Sequence, residues 1–190
     1  MQDKEEDIKN IQEMVYEEIK RLFGNCALRF IVESKYDMIV LKRDMNLYEM
    51  FLVSKELKQL WLTIQDRIKQ KPYSIGLFAG SITKRKGKLK LKIGLDLMEF
   101  LAQRLRRNIV IVNDHAAMLF LYGRDIMLNS IVDILPPIGY LAVVANRGLE
   151  ILGLAKPLIN IEGAINKGVK KDVIALKNVI DKGWYLRKGG

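Results

Sequence analysis

Residues 88–93 read KLKLKI, a strict alternation of lysine with leucine or isoleucine. Only a pleated strand separates such residues onto two faces, because a helix would scatter both sets around its circumference. The segment is therefore a strand with one apolar face and one cationic face. Lys86-Gly87 supplies the turn of a hairpin that pairs it with Leu77 to Thr83. Six of the nine residues from Lys84 to Lys92 are basic, so Lys84, Arg85, Lys88, Lys90 and Lys92 form a basic surface. Two explanations fit it: contact with a polyanion, or an edge strand kept from aggregating by its lysines.

The residues before this hairpin set the rest of an α/β architecture. Ile8, Ile11, Val15, Ile19 and Leu22 recur at helical spacing and predict an amphipathic helix ending near Gly24-Asn25. Three short runs, ALRFIVE (Ala27 to Glu33), DMIVLKR (Asp37 to Arg43) and LYEMFLV (Leu47 to Val53), read as strands of an antiparallel meander. Ser54 stands where an N-cap belongs, before KELKQLWLTIQDRIKQ, whose Leu57, Leu60, Trp61, Ile64 and Ile68 make one apolar stripe closed by Pro72. A further helix is built on Leu97, Phe100, Leu101 and Leu105.

From Asn108 the texture changes to short β-branched runs separated by turn signals: IVIV, AAMLFLY, YLAVVA, LEILGLA and DVIALK. Their spacing predicts a small β-barrel or sandwich. The expected division is an α/β (α+β) domain with an antiparallel sheet and helices over 1–107, then a β-rich domain over 108–190.

Composition narrows the partner. With 32 Lys and Arg against 22 acids the formal charge is +10, which favours a polyanionic partner, the alternative being a basic surface that only keeps the protein soluble. From 147 to 190, nine basic residues face four acids, among them Arg147, Lys156, Lys167, Lys170, Lys171 and Arg187. His115 is the only histidine and Cys26 the only cysteine, which leaves no zinc cluster, no Cys/His dyad and no internal disulfide. No nucleotide loop occurs, and Gly76 and Gly80 read as close-packing or bulge residues. The expectation is a non-enzymatic chain without a cofactor. An acidic amino terminus and the lack of any long apolar run predict a soluble, cytoplasmic protein with no membrane partner.

The stretch FLYGRDIMLNSI (120–131), followed by ILGLAK and closed by DKGWYLR, resembles the signature of a PUA domain. That signature has a Tyr-Gly turn after an early strand, a middle glycine turn and a terminal D-x-G-x-x-[LV]-R. Upstream, LYEMFLVSKELKQL and IGLFAGSITKRKGKLKLKIGLDLMEFL resemble the domain that precedes PUA in the Nip-seven group of ribosome-assembly factors. Thr83-Lys84, Gly87-Lys88 and Leu91 fit that group's hairpin; where the group has G-F-G, this chain has Ile151-Leu152-Gly153.

The resemblance implies a PUA-like mixed β pseudo-barrel over 108–190. It also implies a monomeric, non-catalytic RNA-binding factor in large-subunit assembly and pre-ribosomal RNA maturation, nucleolar in a eukaryote. Its RNA contacts would lie at Lys156 and the Lys167 to Lys171 stretch, with pre-ribosomal proteins or assembly factors on the amino domain. Two rivals stand beside this reading: an RNA-modifying enzyme of transglycosylase or methyltransferase type that uses PUA for targeting, and a protein-interaction adaptor whose charge is incidental. Trp184 and Tyr185 are expected to plug the barrel.

Overall fold

The computed structural model describes residues 2–65, 67, 72–86, 88–168, 172–184 and 187. The chain divides into two compact units, residues 1–100 and 101–190. The division falls inside a helix, α4 (Leu95–Leu105), and the boundary expected after Arg107 lies just beyond that helix.

The first unit begins with α1 (Gln2–Phe23) and α2 (Asn25–Glu33). The second of these corrects the strand expected over ALRFIVE. A short apolar run is ambiguous by periodicity alone. Gly24, at φ +82°, turns the chain at once into a second helix, on which Ala27 and Ile31, one turn apart, are the buried residues.

Then come β1 (Tyr36–Lys42), β2 (Leu47–Ser54), α3 (Lys55–Ile64), β3 (Leu77–Arg85) and β4 (Lys88–Ile93). All neighbouring strands pair antiparallel in the order β1-β2-β3-β4: two of the three expected meander strands, DMIVLKR and LYEMFLV, are joined by the expected hairpin in place of ALRFIVE. Ser54 caps α3 by accepting from the Leu57 N–H at 3.1 Å. The apolar stripe is narrower than its spacing suggested: Trp61 is buried with Leu57 and Ile64 against Ile39, Leu41, Phe51 and Val53, whereas Leu60 is exposed and Ile68 lies outside the described residues. Arg43 fastens the return from α3 to β3. Its guanidinium donates to the Pro72 and Tyr73 carbonyls at 2.6 and 2.5 Å and pairs with Glu49 at 2.5 Å.

The second unit contains β5 (Ile109–Val112), α5 (Asp114–Leu121), β6 (Ile126–Met127), β7 (Ile131–Leu135), β8 (Ala142–Ala145), β9 (Ile151–Pro157), α6 (Ile161–Asn166) and β10 (Ile174–Asp181). The strands form one curled sheet in the order β6-β10-β9-β8-β5-β7, mixed because β5 and β8 run parallel. Every residue of β5 and β8, and the first five of β9, are buried, so the sheet is covered on both faces there. One face packs on α5 and α6 through Val110, Val144, Ala155, Leu176, Phe120 and Ile161. The PUA-like pseudo-barrel is thus the observed fold of this unit.

Here too one predicted strand is a helix. AAMLFLY forms α5 because Asn113 accepts from the Ala116 N–H at 2.9 Å as an N-cap, and Ala116, Ala117 and Phe120 bury a helical stripe while Met118 and Leu119 face water. The middle glycine is not a turn residue either. Gly153 lies within β9, opposite a register shift in β10.

Candidate nucleic-acid interface

The Tyr-Gly step at 122–123 ends α5. Gly123 has φ +84°, its N–H donates to the Phe120 carbonyl at 2.9 Å, and the Arg124 N–H donates to Leu119 at 3.1 Å, the paired bonds of a Schellman cap. Glycine is needed there because a left-handed backbone strains a residue bearing Cβ. Tyr122 is left 68% exposed at the helix end.

Distant residues secure the same helix end. Asn178, at the β10 irregularity, donates through Nδ2 to the Phe120 carbonyl at 2.9 Å, and its own N–H reaches Asp125 at 2.8 Å. Asp181 is buried, and the Arg187 guanidinium grips both its oxygens at 2.9 and 2.8 Å while also donating to the Leu121 carbonyl. Hydrogen bonding to Asp181 raises the Arg187 pKa further, so the guanidinium keeps its charge. Gly183 lies against α5 so closely that a Cβ would sit 2.0 Å from the Leu121 oxygen. The D-x-G-x-x-L-R ending is therefore a clasp on the Tyr122-Gly123 turn.

The clasp brings Trp184 next to this turn, since each aromatic lies one residue from the Gly183–Leu121 backbone approach. Trp184 is 40% exposed, which corrects its expected role as a barrel plug; Tyr185 lies outside the described residues. Arg124 and Lys182 are exposed, each two residues along the chain from one of the aromatics. The Lys182 N–H donates to Leu152, placing it at the end of the sheet where the exposed Arg147 sits in the β8–β9 turn.

Lys156 stands elsewhere. It occupies the far end of β9, directly opposite Lys177 on β10, and five residues of strand place it roughly 17 Å from the Arg147 end. Lys167, exposed, follows α6; Lys170 and Lys171 lie outside the described residues. The basic residues named from sequence thus separate into Arg147 and Arg187 at one end and Lys156 at the other. Sequence reasoning did not select Tyr122, Arg124 and Trp184 as site residues, although a Gly at the C-terminal end of a helix was the available signal. Lys84, Arg85, Lys88, Lys90 and Lys92 belong to the hairpin of the other unit.

The corner can stack bases on two aromatics and neutralise phosphates with neighbouring cations, the combination single strands require. Gly183→Ala should pry the clasp from α5 and reduce single-strand RNA affinity about tenfold, the equivalent of one stacking contact. Fluorescence anisotropy checks this, and unchanged affinity would show that the clasp does not position the site.

Among the described residues no helix is long and apolar enough to cross a membrane. A UPF0113 protein from Archaeoglobus fulgidus is 36% identical over 86 residues, 44% of this chain and 48% of that protein, so the match spans about half of the relative. A hypothetical protein from Pyrococcus horikoshii shares the fold at 17% identity and a TM-score of 0.51, covering 92% of this chain and 93% of that one. A conserved PUA domain protein from Thermoplasma acidophilum aligns at 16% identity and a TM-score of 0.42, over 80% and 99% of the two chains. Residues 108–190, which include the α5 turn, β10 and the clasp, match the family described as the UPF0113 PUA domain.

Proposed function

We propose that this protein binds single-stranded RNA at the Tyr122–Trp184 corner and serves, without catalysis, in large-ribosomal-subunit assembly and pre-ribosomal RNA maturation. The observation that carries the binding reading is two exposed aromatics, Tyr122 and Trp184, on segments that the Asp181–Arg187 clasp ties together, with exposed Arg124 and Lys182 two residues from them along the chain. The PUA match over 108–190 supports it. The assembly role rests on the resemblance of the amino-terminal half to the Nip-seven group, with that half docking on assembly proteins.

In a Trp61→Phe background Trp184 is the sole tryptophan, and a uridine-rich 12-mer should quench it as base and indole stack. Tyr122→Ala and Trp184→Ala should each cost about 1–3 kcal/mol of binding. Arg124→Ala should flatten the log–log salt dependence by about 0.7 on single strands. Lys170→Ala with Lys171→Ala, measured alongside, tests the sequence expectation for that stretch. Wild-type affinity in the two aromatic variants would refute the corner.

A further inference from the structure

The cationic hairpin belongs to the other unit, and its geometry supports more than edge protection. β4 is an edge strand, and Leu91 lines a hollow with Met14, Glu17 and Arg21 of α1, so Lys88, Lys90 and Lys92 point to the opposite face. The register places Arg85 opposite Lys88, Thr83 opposite Lys90 and Ser81 opposite Lys92. That face carries α3 over β1 and β2, where Trp61 packs on Ile39 and Phe51. Over β3 and β4, Thr83, Arg85 and the three lysines are exposed.

Among the described residues nothing neutralises these cations. Among the described residues Arg85, Lys88, Lys90 and Lys92 form no ion pair, and Glu49, the acid opposite Ser81 on β2, is held by Arg43. Like charges directly opposite across a ladder are destabilising. Edge protection explains lysines on β4, since charged edges block strand addition. It does not explain Arg85 on β3, which is not an edge and whose charge opposes Lys88.

A ligand that supplies negative charge at regular intervals accounts for the whole pattern. Alternate residues of a strand lie about 6.8 Å apart, a repeat on which successive phosphates of an extended chain can be met one by one. Serine and threonine hydroxyls beside them are phosphate donors. The ladder has no aromatic for base stacking, so its contacts are with the backbone and independent of sequence. We propose that the β3–β4 face is a second RNA-binding surface, a phosphate ladder of Lys88, Lys90, Lys92 and Arg85 with Thr83 and Ser81, separate from the PUA corner. It rests on the reading that the protein works on RNA, and not on where in the PUA domain that RNA binds.

The test uses the full chain and a uridine 30-mer titrated at several salt concentrations. Lys88→Glu, Lys90→Glu and Lys92→Glu together keep the edge charged, and so protected, but repel phosphate. This set should stay soluble and flatten the log–log salt slope by about 2, from three contacts at about 0.7 each. The corresponding arginine set should keep the wild-type slope. Tyr122→Ala with Trp184→Ala, run in parallel, reports on the corner alone: loss there with an unchanged hairpin set overturns the ladder and leaves the corner standing. Loss in the hairpin set alone upholds the ladder and overturns the corner. Polyglutamate binding with the affinity and salt slope of RNA would assign the face to an acidic protein and likewise overturn the inference.

Discussion

Gly153→Ala should destabilise the 101–190 unit by about 3 kcal/mol, the upper range for forcing atoms into a packed interior. At Gly153, β9 runs between Val144 of β8 and Asp181 of β10, and an added Cβ would lie 2.1 Å from the Ile180 oxygen and 2.7 Å from the Asp181 Cα. Both are backbone atoms, so no side chain can swing aside. The strands must separate, weakening the β9–β10 ladder and the Lys182-to-Leu152 bond that seats the clasp. For a unit of this size the loss should lower the melting temperature by more than about 10 °C. Thermal unfolding with hydrogen exchange on peptides from 101–190 measures it, and a melt within experimental error of the parent would mean that the β10 irregularity relaxes freely.

Asn108→Ala should cost about 3 kcal/mol by another route. Asn108 is fully buried at φ +58°, and its side chain donates to the Leu141 carbonyl and accepts from the Gly139 N–H, both at 2.9 Å. It fastens the 138–141 loop to the start of β5, next to the Val143 N–H that bonds its own carbonyl. Alanine removes two part-buried hydrogen bonds, leaves the Leu141 carbonyl without its donor and the Gly139 N–H without its acceptor, and strains a left-handed backbone by about 1 kcal/mol. Glycine removes the same bonds without the strain, so Asn108→Gly should be milder by about 1 kcal/mol. Equal losses in the two variants would place the whole effect in the hydrogen bonds; a neutral alanine variant would show that the loop holds without them.

The candidate site was partly legible. Tyr122-Gly123 and the Asp181-Gly183-Arg187 ending could be seen as motifs, yet not what they do together, because 58 residues separate Gly123 from Asp181. Only β10, pairing between β6 and β9, lays the two ends against one another. The exposure of Trp184 was misjudged because an indole's apolar surface favours burial while its neighbours along the chain do not reveal which atoms already fill the core. The distribution of the basic residues of 147–190 was hidden for a related reason: sequence proximity does not tell the two ends of a strand apart, and β9 separates Arg147 from Lys156.

Local physics, by itself, determined the elements whose patterns admit one geometry. KLKLKI had to be a strand with a cationic face, Ser54 had to begin a helix, and the β1 and β2 strands and the β3–β4 hairpin followed from short runs divided by turns. Where the pattern was only a short apolar run, as in ALRFIVE and AAMLFLY, the local free energies of helix and strand are close. There the tertiary structure decided. Gly24 and Asn113 started helices, and burial of Ala27 with Ile31, and of Ala116 with Phe120, held them. The close approaches at Gly153 and Gly183 were likewise settled only in three dimensions, because the atoms that forbid a Cβ there, Ile180 and Leu121 oxygens, come from segments that folding alone brings near.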